Sequence, residues 1–336
     1  MADTDLSIAL YDQRENEARV LASYPALRAF FPAAFVQVNF PVRVTHEAEL
    51  RRYADIMYET RSRKEWLNAK LYSQTEAEAM LRLSTQVEQL TARLFDRPVQ
   101  PLMCLFAPID LVRVVEHLAA AVGRRLTVLE IGLGSGHFAA YLLNAGHRVI
   151  AVDNCQALYL WQNRLLSTCD LDEWAAADVR TFPARGASAQ ATHVPWWQFS
   201  RFHQCPPVIA DIVICDAALG EMDHFGFRYV VNVAKALTAQ SDVGCFLYQN
   251  LGEERFQQRP FVEQYLTALG FRFHGVGGVS VFVGSDKFPT RSIESLTEPP
   301  PWGGAQSMAL PAQFLPLDQA KFLESYAFFD FIGLGR

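Results

Sequence analysis

The feature that most constrains this chain is a glycine-rich turn directly after a short apolar run. Residues 128–137 read VLEIGLGSGH. Gly132 and Gly134 allow the backbone to turn tightly and to approach a ligand closely, and a helix that follows such a turn presents free N–H groups. The pattern therefore predicts a strand, a ligand-binding turn and a helix in succession.

From Leu126 onward, apolar runs alternate with helical segments, which is typical of a parallel sheet with helices on both faces. Seven strands are predicted, at residues 127–131, 148–152, 174–178, 211–215, 244–249, 271–276 and 279–283. Only Gly277 and Gly278 separate the last two, so these must be antiparallel, because a parallel connection needs a dozen or more residues. The predicted fold class is α/β, a seven-stranded, mostly parallel sheet that ends in a C-terminal antiparallel hairpin.

The first part of the chain is predicted to be helical. Ser73 and Glu76 form a capping-box pattern. One helix face follows at steps of three and four residues, made of Met80, Leu83, Val87, Leu90 and Leu94. A second helix is expected between Pro108 and Gly123. We therefore divide the chain into an N-terminal helical cap (1–123), a ligand-binding core (124–285) and a C-terminal extension packed on the core (286–336).

Composition excludes several classes of protein. The chain has 30 basic and 36 acidic residues, a net charge of −6 and no strongly basic block, which argues against a nucleic-acid partner. No run of 18 apolar residues and no signal-peptide core occur in the sequence, so we expect a cytoplasmic protein that does not enter a membrane. The cysteines are scattered, and no group of His, Asp and Glu has the spacing of metal ligands.

Two cofactor families use a glycine turn of this kind. A dinucleotide fingerprint needs Gly or Ala where this chain has His137, because the third glycine comes one residue early, at Gly136. The pattern Glu130-x-Gly132-x-Gly134-x-Gly136 instead resembles the first motif of class I S-adenosylmethionine (SAM) methyltransferases. An acid after the second predicted strand, Asp153, occurs in both families. An acid ending the third predicted strand, Asp178, and the final hairpin resemble the SAM family.

This resemblance covers about half of the chain and implies SAM as the cofactor. The glycines would line the aminoacyl end of SAM, Asp153 would hold the ribose, and Asp178 with the backbone of Val179 would meet the adenine. The implied cofactor-binding residues are Glu130, Gly132, Gly134, Ser135, Gly136, Asp153, Asn154, Asp178 and Val179. For each acid taken alone, a simple role in capping a helix or turn stays open. For the polar residues of the next predicted helix, a helix surface and a place in the site both stay open; these are Tyr159, Gln162 and Asn163.

Candidate catalytic residues follow the predicted strand 211–215. The sequence Asp216-Ala-Ala-Leu lacks the Asp/Asn-Pro-Pro-Tyr/Phe pattern of family members that methylate exocyclic amines of nucleobases. Asp216, Glu221 and His224 are the candidates, and a base is needed only if the acceptor must lose a proton. A helix-capping acid and a surface histidine are the alternative interpretations.

Candidate substrate-pocket residues lie in two places. The connection 179–210 is long and rich in aromatic residues, including Trp196 and Trp197, and it is either a lid or a segment packed inward. Tyr248 and Asn250 stand at the end of a predicted strand, where open α/β sheets bind ligands.

Three functions follow from this pattern. The first is methyl transfer from SAM to a small molecule, directed to oxygen, because parts of the chain are similar to bacterial proteins labelled putative sugar O-methyltransferases. The second is a SAM cyclase or lyase of natural-product biosynthesis, which releases methylthioadenosine. The third is a SAM-fold binding subunit without catalysis. The expected partner is a small-molecule substrate, with a homodimer if the aromatic C-terminal tail is exposed.

Overall fold

The computed structural model describes residues 6–30, 43–55, 71–95, 98–101, 103–183, 189–202, 210–251, 257–294, 296 and 300. Most of the predicted C-terminal extension, including its aromatic tail, lies outside the described residues. The division of the chain into a cap, a core and an extension therefore stays a prediction.

The described core is one eight-stranded sheet. Its strands are β1 (Thr127–Ile131), β2 (Arg148–Asp153), β3 (Leu171–Glu173), β4 (Ala191–Pro195), β5 (Ile212–Ile214), β6 (Cys245–Tyr248), β7 (Arg272–Val276) and β8 (Val279–Val283). They are ordered β3-β4-β2-β1-β5-β6-β8-β7. All neighbours from β3 to β6 pair in parallel, and β8 is antiparallel to both β6 and β7. The predicted fold class is confirmed, with one more strand than the sequence pattern indicated.

The predicted strand at residues 174–178 is wrong. The chain turns there, because the N–H of Ala177 donates to the carbonyl of Trp174 and the N–H of Ala175 donates to the side chain of Glu173. The strand beside β2 is β4, which lies inside the connection that we predicted to be a lid or an inward-packed segment. All five residues of β4 are buried, and the short β3 adds an edge beyond it.

Helices cover both faces of the sheet. They are α1 (Ile8–Leu21), α2 (Tyr24–Phe30), α3 (Gln74–Leu94), α4 (Met103–Phe106), α5 (Ile109–Val122), α6 (His137–Asn144), α7 (Gln156–Leu166), α8 (Trp196–Phe199), α9 (His224–Thr238), α10 (Arg259–Ala268) and α11 (Arg291–Glu294). The chain moves in opposite directions from β1 to β2 and from β5 to β6. Because such crossovers are right-handed, α6 and α9 lie on opposite faces of the sheet.

The N-terminal helices form as their sequence signals predict. The Ser73 hydroxyl accepts the N–H of Glu76, and the Glu76 carboxylate accepts the N–H of Ser73, at 3.1 and 2.9 Å. The predicted stripe is buried from Met80 to Leu90. Helix α5 ends at Gly123, which adopts the left-handed conformation that favours glycine.

One buried ion pair joins α3 to α5. The Nε and one terminal nitrogen of Arg113 donate to the two carboxylate oxygens of Glu76, at 2.7 and 2.8 Å. The Glu76 side chain is fully buried and that of Arg113 is 8% exposed. Two parallel charge-assisted hydrogen bonds in a solvent-excluded place fix the relative position of the two helices.

No helix in the described part of the chain is both long and apolar enough to cross a membrane.

Candidate functional site

The glycine turn lies between the carboxyl end of β1 and the start of α6. Gly132, Gly134 and Gly136 have φ angles of 78°, 56° and 75°, a region that residues with a Cβ rarely adopt. At Gly132 a Cβ would also come within 2.9 Å of the Cβ of Ala218. Gly136 caps α6, so the first N–H groups of that helix face the turn. The predicted strand, turn and helix are therefore confirmed.

Asp153 stands beside this turn, at the carboxyl end of β2. Its Oδ1 accepts the N–H of Cys155 at 2.9 Å, and its Oδ2 accepts Nε2 of Gln162 at 2.7 Å. The same Nε2 donates to the carbonyl oxygen of Gly134 at 2.8 Å. Burial raises the pKa of Asp153, so donors that reach this carboxylate stabilise its charged form. A single amide group thus joins the strand-end acid to the glycine turn.

Two further carboxyl groups surround the turn. Glu130, on β1, is buried, and its Oε2 has no hydrogen-bond partner among the described residues. Burial raises the pKa of Glu130 well above its ordinary value, and the negative charges of Asp216 and Asp153 raise it further. Oδ1 of Asp216 accepts the N–H groups of Gln249 and Asn250, at 2.8 and 2.7 Å. Buried acids with an unsatisfied oxygen favour a ligand that brings hydrogen-bond donors or positive charge.

The backbone is strained where β5 meets the glycine turn. Ala217 has a φ of 55°, and among the described residues it is the only one besides glycine with a positive φ. Its N–H donates to the carbonyl of Asn250 at 2.8 Å, which holds the strained turn in place. Strain of this kind persists where surrounding contacts enforce it, and it is common at functional sites.

We expect Ala217→Gly to raise the free energy of unfolding by about 0.5–1 kcal/mol, because glycine adopts this φ without a steric penalty. Chemical denaturation measures the effect. Ala120→Gly is the matched control: Ala120 is exposed on α5, and glycine there costs about 1 kcal/mol. A loss of stability in both variants would show that Ala217 is not strained.

Aromatic side chains enclose the space next to Asp153. The register pairs Asp153 with Pro195, so Trp196 and Trp197, which follow Pro195, stand at the same edge of the sheet. Both tryptophans are buried, which supports the inward-packed alternative for this connection. Their predicted place in a substrate pocket stays a prediction.

Helix α1 completes this wall. The rings of Tyr11 and Trp197 meet edge to face, with centroids 5.1 Å apart. Nε1 of Trp196 donates to Oε1 of Glu15 at 3.1 Å. Tyr11 Oη and Trp197 Nε1 are buried and have no hydrogen-bond partner within the described part of the chain. A ligand that brings hydrogen-bond acceptors would satisfy both donors.

Asp178 and Val179 lie farther out. Asp178 is exposed and follows the edge strand β3, and its Oδ1 accepts the N–H of Arg180 at 2.9 Å. The carbonyl of Val179 accepts a hydrogen bond from Arg201 at 2.8 Å. Because the strand predicted to end at Asp178 is absent, this acid caps a turn. Its contact with adenine stays a prediction.

Asn154 and Ser135 tie the site to its surroundings. Nδ2 of Asn154 donates to the carbonyl of Phe30 at 2.9 Å, which attaches α2 to the end of β2. Ser135 is buried, and its carbonyl accepts Nε1 of Trp161, on α7, at 3.0 Å.

The remaining catalytic candidates lie around the start of α9. Glu221 ends a short 3-10 helix, Leu219–Glu221. His224 is exposed, and its Nδ1 accepts Nε2 of Gln257 at 3.1 Å. Asp223 caps α9 by accepting two N–H groups. The catalytic roles of Glu221 and His224 stay predictions.

The two substrate-pocket candidates after β6 have different surroundings. The Tyr248 ring lies under the guanidinium of Arg259, and its hydroxyl donates to Glu263 at 3.4 Å, so these contacts direct it toward α10. Asn250 is exposed, and its backbone bonds to Asp216 and Ala217 on the strained turn. Of these two substrate-pocket candidates, Asn250 is therefore the residue that lies beside the glycine turn.

The polar residues of α7 do not form a helix surface, and of the three, Gln162 bonds to both Asp153 and the glycine turn. Tyr159, Gln162 and Asn163 are all buried. A signal for this was present, because together with Gln156 they recur at steps of three and four residues and so share one helix face. Sequence reasoning also missed Tyr11, for which we find no signal in the pattern.

In the ranges that the structure covers, no group of three or more His, Cys, Asp or Glu side chains could hold a metal ion.

The strand order of the sheet distinguishes the SAM methyltransferase fold from the dinucleotide-binding fold. Apart from the edge strand β3, it is doubly wound and closes with β8 antiparallel between β6 and β7. The chain has the class I SAM methyltransferase fold. In that fold the glycine turn after β1 and the acid after β2 occupy adjacent places, as they do here.

Comparisons with known proteins find similarity only to solved structures, and at low identity. No protein-family model and no curated protein sequence matches the chain. Magnesium protoporphyrin IX methyltransferase from Synechocystis, solved with bound SAM, is 14% identical over 73% of this chain and 100% of its own, with a TM-score of 0.37. A 1,6-didemethyltoxoflavin-N1-methyltransferase from Burkholderia thailandensis, solved with S-adenosylhomocysteine, is 18% identical over 65% of this chain and 93% of its own, with a TM-score of 0.35.

A third similar structure, WbdD, is longer than the matched region. It is 15% identical, with a TM-score of 0.37, and the match covers 54% of this chain and 41% of WbdD. Similarities this low say nothing about the reaction, and the fold rests on the strand order itself.

Proposed function

We propose that this chain binds SAM at the glycine turn and transfers its methyl group to a hydroxyl of a small molecule. The observation that carries the proposal is the Gln162 amide, which bonds both to Asp153 and to the carbonyl of Gly134. This contact joins a glycine turn to a carboxylate that can accept ribose hydroxyls. It makes one continuous binding surface for an aminoacyl nucleoside.

The polar groups around the turn fit the chemistry of SAM. The sulfonium and ammonium groups of SAM are positive, and the site offers the carboxyl groups of Glu130, Asp153 and Asp216. Its adenine ring nitrogens are acceptors, and the site offers the unpartnered donors of Tyr11 and Trp197. Buried polar atoms of this kind are expected where a ligand completes the hydrogen bonding.

Bound SAM supplies a methyl group on a sulfonium that departs as a neutral thioether. The chain's own residues then have to align the acceptor and exclude water. The buried Trp196 and Trp197 and the contact of α2 with Asn154 serve the exclusion of water. For the proton of an acceptor hydroxyl we favour Asp216 over His224, because Asp216 lies against the glycine turn and burial raises its pKa.

The second candidate function is intramolecular cyclisation of SAM. In that reaction the amino nitrogen forms a bond to a side-chain carbon, loses a proton, and displaces methylthioadenosine. The aromatic enclosure by Tyr11, Tyr159 and Trp197 favours it, because such a reaction needs a closed chamber without a second substrate.

Incubation of the pure protein with SAM, followed by mass spectrometry, distinguishes the functions. S-adenosylhomocysteine that forms only when a hydroxylated acceptor is added is the expected result. Methylthioadenosine formed from SAM alone would identify the cyclase or lyase. Tight binding of SAM without any turnover would indicate a binding subunit.

We expect Asp153→Ala to weaken SAM binding about 10- to 30-fold, because the ribose loses its charge-assisted acceptor. Isothermal titration calorimetry measures this affinity. Asp286→Ala is the control, since Asp286 is almost fully exposed on the surface. Asp178→Ala tests the predicted adenine contact in the same assay. Equal affinities for the wild type and Asp153→Ala would remove Asp153 from the site.

A further inference from the structure

A buried polar cluster lies directly behind Asp153, between β4 and α7. His193 of β4 is at its centre, with Glu173 on one side and Gln162 on the other. Nδ1 of His193 is 2.8 Å from Oε2 of Glu173, and Nε2 is 3.3 Å from Oε1 of Gln162. All three side chains are almost or fully excluded from solvent. A buried polar group destabilises the fold unless its atoms form hydrogen bonds. The hydrogen bonds of this cluster are therefore what allows these side chains to be buried.

The orientation of the Gln162 amide follows from its partners. Its nitrogen lies 2.7 Å from Oδ2 of Asp153 and 2.8 Å from the carbonyl oxygen of Gly134, which are both acceptors. The amide oxygen must therefore face His193. An oxygen can only accept, so Nε2 of His193 carries a hydrogen.

The orientation at Glu173 is equally determined. Its carboxylate accepts the hydroxyl of Tyr159 at 2.5 Å, the N–H of Ala175 at 2.8 Å and Nδ2 of Asn163 at 2.8 Å. The orientation of the Asn163 side-chain amide is fixed, because its Oδ1 accepts the N–H of Leu6. A carboxylate that accepts this many hydrogen bonds is ionised, so Nδ1 of His193 also carries a hydrogen.

The surroundings of the ring suit a cation. Burial opposes ionisation of Glu173, yet its pKa is held below the ordinary value by a protonated His193 and by hydrogen bonds that include those of Tyr159 and the N–H of Ala175. The ring of Tyr159 stacks on His193 with centroids 3.6 Å apart, an arrangement that stabilises a cation. His193 also lies between two acids, Glu173 and Asp153, and its charge favours the ionised form of Asp153.

We infer that His193 is an imidazolium and a positioning residue for cofactor binding, which acts through Gln162. One of its N–H groups bonds to Glu173 and the other fixes the oxygen of the Gln162 amide, and the amide nitrogen then holds Asp153 and the Gly134 carbonyl in place for the ribose and aminoacyl ends of SAM. This inference rests on the proposed function for its ligand. The protonation of His193 does not, because it follows from the hydrogen bonds of the protein alone.

Nitrogen-15 NMR of the histidine side chains tests the protonation. The chain has 8 histidines, and the signal lost in His193→Gln assigns His193. At pH 7 we expect two protonated ring nitrogens at this residue, in the full-length protein and without any ligand. A spectrum with one bare ring nitrogen at His193 would overturn the inference.

Affinity for SAM tests the positioning role. We expect Gln162→Met and His193→Gln each to raise the Kd for SAM about tenfold, the effect of losing one charge-assisted or buried hydrogen bond. If His193 acts through Gln162, the double variant loses no more affinity than Gln162→Met alone. Losses that multiply in the double variant would contradict the inference, because they would show that His193 acts independently of Gln162.

Two controls keep the result interpretable. Gln86→Met changes an amide on α3 that bonds to Thr168, and it should leave the affinity for SAM as in the wild type. Thermal unfolding identifies a variant that fails to fold; if His193→Gln does, His193→Asn replaces it in the NMR assignment and in the titrations. If the wild-type protein itself does not bind SAM, the proposed function fails, while the protonation of His193 is still measured.

Discussion

Replacing Glu76 by alanine is expected to lower the free energy of unfolding by about 3–5 kcal/mol, the cost of leaving one partner of a buried ion pair alone. Glu76 is fully buried and is the bidentate partner of Arg113. It also caps α3 through the N–H of Ser73. The substitution therefore takes the bidentate partner from a buried guanidinium and removes a cap at once. Within the described part of the chain, Arg113 then keeps only the Leu71 carbonyl and the more distant Asp110 as hydrogen-bond and ion-pair partners. Urea denaturation of the full chain, followed by circular dichroism, measures the loss.

The same helix offers a matched control. Glu78 lies 3.9 Å from Arg82, and both side chains are more than half exposed, so Glu78→Ala should cost less than about 1 kcal/mol. Arg113 also lies 3.6 Å from the buried Asp110. The triple variant Glu76→Leu/Asp110→Asn/Arg113→Met should therefore be more stable than Glu76→Ala, because it leaves none of these three buried charges. Similar losses in Glu76→Ala and Glu78→Ala would show that the pair is not buried in solution.

Gly132→Ala is expected to weaken SAM binding about 100-fold or more, which corresponds to about 2.7 kcal/mol. The φ of Gly132 is 78°, and an added Cβ would lie 2.9 Å from the Cβ of Ala218. The substitution therefore combines backbone strain with a clash between the glycine turn and the turn after β5. Neither group has room to move away, because Ala217, next to Ala218, is itself held in a strained conformation.

Gly278→Ala separates the effect of backbone strain from the effect of a steric clash at the glycine turn. Gly278 has a φ of 86° in the turn between β7 and β8, and a Cβ there meets nothing within 4 Å. It should lose stability without loss of affinity for SAM. Calorimetric titration of both variants makes the comparison. A Gly132→Ala variant that binds SAM as the wild type does would contradict the assignment of this turn.

The central part of the fold could be predicted from local sequence. The glycine turn, the cap of α3, the end of α5 at Gly123 and the hairpin at Gly277 are each determined by residues within a few positions of one another. Backbone sterics and hydrogen bonds between neighbouring residues determine such features without help from tertiary contacts. These predictions were confirmed.

The strand beside β2 could not be predicted in this way. Residues 174–178 are mostly small and apolar and resemble a strand, whereas β4 contains His193, a polar residue that argues against a buried strand. The choice between them depends on Glu173 and Gln162, which bond to the ring nitrogens of that histidine, and on Tyr159, which bonds to Glu173. Such partners lie far away in the sequence, so no local pattern reveals them.

The same reason explains the wrong strand before Asp178 and the omission of Tyr11. Residues 174–178 resemble a strand that ends in an acid, but the register beside β2 belongs to β4. Tyr11 reaches the site only because α1 packs against Trp197 and Tyr159. Long-range packing, which the sequence does not display, decides both cases.

The contacts of α1 also impose an order on biosynthesis. The bond from Leu6 to Asn163 spans 157 residues, and the bond between Glu15 and Trp196 spans 181. A ribosome that adds about 5–20 residues per second therefore releases this helix on the order of ten seconds or more before its partners exist. Until then it has no place to dock, so the aromatic wall beside Asp153 cannot form before Trp196 and Trp197 are made. Helix α1 is thus synthesised well before it finds its position.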